Sequence, residues 1–153
     1  MVTGSDYPPT WVVLPGSSLT AELAIRQWTK KPVIEIIGNR QGLVSLGNIL
    51  LWKCFSQEES LSITALEFIK AKSALSLTVV ESMQGDDSSG RLIRVDKDQQ
   101  FEWLIDDEHL EKQAVYIIDM GLSAWVRPRS DHFHGDVGPD SEYELFFARV
   151  EPE

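Results

Sequence analysis

One cysteine, Cys54, is all the thiol chemistry in this chain. That excludes an intrachain disulfide framework and any zinc site built from several thiolates, and it suits a reducing compartment. No apolar run reaches the ~18 residues that crossing a bilayer requires. The opening MVTGSDYPP lacks both the basic region and the apolar core of an export signal, so a cytoplasmic location is expected. Positive charge is scarce where negative charge crowds. Met1 to Val80 carries 7 Lys+Arg against 6 Asp+Glu and Glu81 to Glu153 carries 7 against 18, so the halves hold +1 and −11 of a net −10. Such a field repels nucleic acid and draws in a basic protein partner.

Hydrophobic residues make up 42% of the chain, with five Trp and six Phe, which is enough for one globular domain over 1–153. No internal repeat or low-complexity tract is visible. Thr10 to Leu14 (TWVVL) reads as a short strand closed by Pro15-Gly16. Ser17-Ser18 then caps an expected helix from Leu19 to Lys31, with Ala21, Ala24, Ile25 and Trp28 on one face and Pro32 as its stop. Val33 to Ile37 reads as a central strand, and the helix after it, through Leu43 to Phe55, is apolar around much of its circumference.

Ser60 to Lys72 suits a strand running into a helical turn, and Leu75, Leu77 and Val79 alternate as in a strand with one wet face. Leu92–Val95 and Phe101–Ile105 form a hairpin around DKDQ, which extends the preceding strand into a meander. Asp106 or Asp107 caps a short helix ending near Gln113, and Val115–Met120 returns as a strand. Residues 121–141 read as a long polar loop before a last strand, Tyr143–Val150. The expected fold is α+β (or α/β): a single domain with a mixed, mostly antiparallel sheet and two main helices packed on it.

The junction VIEIIGNRQGLVSLG raises the question of a phosphate cradle. A dinucleotide fingerprint needs G-x-G-x-x-G and a P-loop needs Gly-Lys-Ser/Thr, whereas Gly38 and Gly42 are spaced G-x-x-x-G and Gly42 is followed by Leu43. Gly38 therefore reads as a sharp turn and Asn39 as a helix cap, with Gly42 and Gly47 marking close packing. The pattern G-N-x-x-G-L-x-x-L, met in Gly38, Asn39, Gly42, Leu43 and Leu46, resembles small immunity proteins of bacterial polymorphic toxin systems. The acidic tail segment with His132, His134, Asp136 and Pro139 before a final apolar strand is similar too. The resemblance implies a cytosolic protein that neutralises a cognate toxin by binding it; its shared residues would be scaffold.

His132, His134 and Asp136 crowd metal-ligand types into SDHFHGD, and two imidazoles with a carboxylate can hold Zn or Fe(II); a solvated loop tip explains them as well. Glu35 and Asp119, carboxylates in apolar strands, would make an acid/base couple if they met, and Glu102 is a similar case. Cys54 reads as a small core residue, and Ser123 lacks the second glycine of a nucleophile elbow. No motif implies a cofactor.

The acidic residues are expected in loops, turns and caps: Asp86, Asp87, Asp106, Asp107, Glu108, Glu111, Asp131, Asp136 and Asp140, with Trp125 and Phe133 as aromatic anchors among them. The leading expectation is a non-catalytic, immunity-like binder that presents this surface to a basic toxin domain, with no role for nucleic acid or membrane. A small metal-dependent or acid/base enzyme using His132, His134 and Asp136 is the alternative, and an adaptor subunit of a larger assembly is a third.

Overall fold

The structure, a computed structural model, describes residues 12–26, 31–56, 58–81, 90–95, 99–122, 131–135, 137 and 141–150, without the side chains of 131–133. Along the chain run β1 (Leu19–Ala24), β2 (Val33–Gly38), α1 (Arg40–Ser56), β3 (Ser60–Ser62), β4 (Ile69–Ala71), β5 (Ser76–Glu81), β6 (Arg91–Arg94), β7 (Gln100–Ile105), α2 (Asp107–Leu122), β8 (Asp131–His134) and β9 (Glu144–Arg149). The α+β class and the two packed helices are as expected, and the strands divide between two mixed sheets, ordered β4-β1-β2-β9-β8 and β3-β5-β7-β6. Among the described residues no helix is long and apolar enough to cross a membrane.

The chain builds one unit twice. An antiparallel pair, β1–β2 or β6–β7, leads into a helix, and the helix leads to a second antiparallel pair, β3–β5 or β8–β9. Each second pair joins the other unit's sheet, since β5 runs parallel to β7 and β9 parallel to β2. Registers correspond as well: Ser76 sits opposite Gln100, and Glu144 opposite Val33. So do the bonds around them. The Ser76 N–H donates to the Gln99 carbonyl at 2.8 Å and the Glu144 N–H to the Pro32 carbonyl at 2.9 Å; Ile63 donates to Leu77 at 2.9 Å as Gly135 does to Leu145 at 2.8 Å.

This repeat overturns the expectation of none. Sliding β2–α1 onto β7–α2 leaves only Glu35/Glu102 and Leu43/Leu110 identical, so the sequence hides it. Burial reveals it: Leu43, Leu46, Gly47, Leu50 and Lys53 of α1 correspond to Leu110, Gln113, Ala114, Ile117 and Met120 of α2, and all ten are buried. The helices cross antiparallel where Gly47 meets Ala114. A Cβ on Gly47 would stand 2.9 Å from the Ala114 carbonyl oxygen and 2.3 Å from Ile118 Cγ1, so only glycine lets the backbones approach this closely. Phe101 against Tyr143 (4.9 Å, edge to face) and Trp103 against Phe147 (6.1 Å) tie the two sheets together across β7 and β9.

Several local expectations give way to tertiary pairing. Residues 19–24 form β1 rather than a helix, because Leu19 and Ala21 fit a period of two as well as one of 3.6 and β1 pairs along its whole length with β2. Val12 to Leu14 of the expected first strand form a short helical turn and bend. The expected meander fails because β7 inserts between β5 and β6. Val115–Met120 continues α2 rather than forming a strand, since its Ile117 and Met120 complete the stripe that packs on α1. The stretch read as a loop over 121–141 begins inside α2 and contains β8, held against β9 with Asp131 opposite Arg149 and His134 opposite Phe146.

Candidate functional site

Both helices start from a side-chain cap, which fixes where their first turns point. Asn39 accepts from the Gly42 N–H at 2.8 Å and from the Ser18 N–H at 3.0 Å, and donates to the Gly16 carbonyl at 2.7 Å, so the Gly-Asn junction is a cap that also anchors residues 16–18. Gly38 is the turn it needs: a Cβ there would lie 2.1 Å from the Ser18 carbonyl oxygen. At the corresponding place Asp106 accepts from the His109 N–H at 2.8 Å and meets its imidazole at 2.8 Å. Burial works against the Asp106 carboxylate, but the His109 backbone N–H and ring together hold its pKa below the ordinary value.

The other acidic residue of this turn faces inward. Lys53 is wholly buried, and its ammonium donates to the Asp107 carboxylate at 3.1 Å, joining the last turn of α1 to the first of α2. Cys54 beside it has its thiol pushed up to about 12, first by burial and then by the Asp107 charge, so it stays a protonated thiol at neutral pH. At the far end of α2, Arg40 and Arg149 donate to the Gly121 and Met120 carbonyls at 3.1 and 2.9 Å, which satisfies the end of the helix with cations.

With Asp106 and Asp107 engaged, the outward charge of α2 comes from Glu108, Glu111 and Asp119, all exposed, with Lys112 among them. Val115 (53% exposed), Tyr116 (59%) and Leu122 (60%) share this solvent side. Glu108, Glu111 and Lys112, Val115 and Tyr116, Asp119, and Leu122 recur three or four residues apart, so they make one continuous face. It is acidic at both ends of an apolar centre. Sequence reasoning missed Val115, Tyr116, Asp119 and Leu122 as members of this surface because it took 115–120 for a strand and 121–141 for a loop. The helical spacing from Glu108 and Glu111 was the signal available.

Other expected site residues are placed unevenly. Asp86, Asp87, Trp125, Asp136 and Asp140 lie outside the described residues, as does Ser123. Asp131, His132 and Phe133 belong to β8 by backbone only; His134 is exposed on the same strand, with its ring edge-on to Phe146 at 5.4 Å. Among the described residues no three His, Cys, Asp or Glu side chains gather closely enough to hold a metal ion. Glu35 is buried and takes two hydrogen bonds from Arg26, whereas Asp119 is exposed on α2, so the two carboxylates do not meet as an acid/base couple. Glu102 stands in β7 opposite Thr78 and Ile93.

A concavity of about 670 Å³ opens between residues 13–17 and the β3–β4 connection. Leu14, Ile49, Leu66 and Phe68 give it apolar walls, with the Ser17 and Glu67 side chains among its lining. Compared with family models, with curated proteins and with solved structures, the chain matches none.

Proposed function

We propose that this protein is a non-catalytic, immunity-like binder that neutralises a basic toxin domain by covering it with an acidic surface. The observation that carries the reading is the outer face of α2, where Glu108, Glu111 and Asp119 surround the exposed Val115, Tyr116 and Leu122. Carboxylates held on a helix steer a cationic partner and speed encounter, while aromatic and aliphatic contacts lengthen residence once water is expelled. The remaining Asp and Glu of the second half add to the same field. The resemblance of the Gly38–Leu46 segment to immunity proteins agrees with this role.

The test is a titration of the purified protein with the product of the gene beside its own, where toxin and immunity genes normally pair. A stoichiometric complex is expected, with an on-rate that falls as salt rises and an off-rate that changes little. A pair that stays separate at micromolar concentration, or an on-rate indifferent to salt, would refute the proposal.

A further inference from the structure

The concavity beside α1 has two walls, each fixed by hydrogen bonds of its own. One is residues 13–17: the Leu14 N–H donates to Ser45 Oγ at 2.7 Å, Asn48 Nδ2 donates to the Val12 carbonyl at 3.1 Å, and Asn39 Nδ2 to the Gly16 carbonyl at 2.7 Å. The other is the turn between β3 and β4. There the Leu66 N–H donates to the Ile63 carbonyl at 3.1 Å and the Ile69 N–H to the Leu66 carbonyl at 3.0 Å, while the Leu19 N–H holds the Phe68 carbonyl at 2.9 Å. Val13, Leu14, Leu66 and Phe68 are half-buried between these walls, beside the fully buried Ile49. Walls held in this way keep a preformed space of about 670 Å³ open rather than collapsing into it.

Size and charge select the ligand. One side chain of a partner would fill only a part of this volume, whereas pockets of about 300–1,000 Å³ enclose small organic ligands. The Ser17 hydroxyl is engaged within its own wall, donating to the Leu14 carbonyl at 2.6 Å and meeting Ser45 Oγ at 2.7 Å. Among the described residues Glu67 is then the only charged side chain of the lining, and it is exposed and in no ion pair with another of them. Its carboxylate repels an anion and, beside apolar walls, attracts a cation more strongly than it would in open water. The net charge of −10 acts in the same direction. We propose that this concavity binds a small amphipathic amine, with an aromatic or branched aliphatic body against Val13, Leu14, Leu66 and Phe68 and one ammonium beside Glu67. The Phe68 ring gives an aromatic body an edge or face to pack on. This site goes beyond the reading of the protein as a binder of a basic partner, and none of its lining comes from α2, so each can fail alone.

The experiment uses the full isotope-labelled chain and three probes of one shape, phenylbutylamine, phenylbutanol and phenylbutyrate, followed by amide shifts at neutral pH. Saturable shifts confined to residues 13–17, 49 and 65–68 are expected, with the amine binding most tightly and the carboxylate least. Glu67→Gln, at an exposed position, should weaken the amine roughly threefold to fivefold, the worth of one exposed ion pair, and leave the alcohol unchanged. Ala65→Trp, also at an exposed position of the lining, adds bulk to the concavity and should weaken amine and alcohol alike, by about tenfold or more. Equal binding of all three probes, tighter binding of the carboxylate, or no saturable shift overturns the proposal. Shifts at the same residues that grow with protein concentration alone would assign the concavity to a second copy of the chain and overturn it too. None of these outcomes touches the binding of the neighbouring gene's product, which decides the broader reading separately.

Discussion

On α1 the outer face at Ser45, Asn48 and Ile49 lies under residues 12–17, whereas on α2 the corresponding Lys112, Val115 and Tyr116 meet solvent. By contrast, the stripe of Leu43, Leu46, Gly47, Leu50 and Lys53 on α1 is matched by buried residues at the corresponding positions of α2. Packing between the halves holds the repeat in register, and departures from the repeat on the outside are where function has room to differ. The same comparison separates residues that serve the scaffold, such as Asn39, Gly47 and Lys53, from side chains exposed on the helix, such as Glu111 and Val115.

The comparison is sharpest where one half has glycine and the other a bulky residue. Gly38 ends β2 and Ile105 ends β7, and Ile105 buries its side chain in the core. A Cβ on Gly38 would meet backbone, 2.1 Å from the Ser18 carbonyl oxygen and 2.8 Å from Leu19 Cα, so nothing nearby can rotate away. Gly38→Ala is expected to destabilise by about 3 kcal/mol or more, beyond the usual cost of overpacking, because β1 must shift from β2. Urea denaturation measures it; a loss below about 1 kcal/mol would show that the two strand ends are interchangeable after all.

The next difference is Lys53 against Met120, an ammonium and a thioether at corresponding buried positions. Asp107→Ala leaves the buried ammonium without its carboxylate and is expected to cost roughly 3 kcal/mol, since Asp107 itself is partly open to water. Lys53→Met, which gives α1 the residue α2 already has, is expected to be neutral or stabilising by about 1 kcal/mol. With Lys53→Met in place, Asp107→Ala should lose most of its effect. A double-mutant cycle from urea midpoints decides this; additive effects would mean that the pair does not couple the helices.

How much of this was legible follows the same division. Asn39 as a cap, β2, α1 and the β6–β7 pair could be read because their signals are local: a polar cap, a β-rich run, alternating Phe101, Trp103 and Ile105. Residues 19–24 and 115–120 could not, because Leu19/Ala21 suit either period, and Val115 to Ile118 favour a strand until Gly47 and its neighbours offer α2 a helical groove. Acidic surplus was legible as a total. Its division was not: Asp106 and Asp107 are consumed by a cap and an ion pair, while Glu108 and Glu111 are left to the surface. The seating of residues 12–17 on α1 left no local signature at all, since it lies in contacts with Ser45 and Asn48 far along the chain.

The smallest effect concerns the two caps, Asn39 and Asp106, which do the same work with and without a charge. Replacing either by alanine is expected to cost about 1 kcal/mol, and Asn39→Ala somewhat more because it also releases Ser18 and Gly16. Their responses to acid differ. Asp106 is held below its ordinary pKa in the folded protein, so its contribution is complete above the unfolded value of about 4 and is lost as pH falls through the folded one. Asn39 has no such titration. Asp106→Asn gives α2 the cap of α1, so its stability should fall less steeply than wild type below about pH 4, although it starts lower at pH 6. Other carboxylates titrate equally in both proteins and drop out of the difference. Urea midpoints for the two at pH 6 and pH 3 suffice: converging curves support a charged cap held by His109, and parallel curves would mean that the carboxylate does nothing there that an amide cannot.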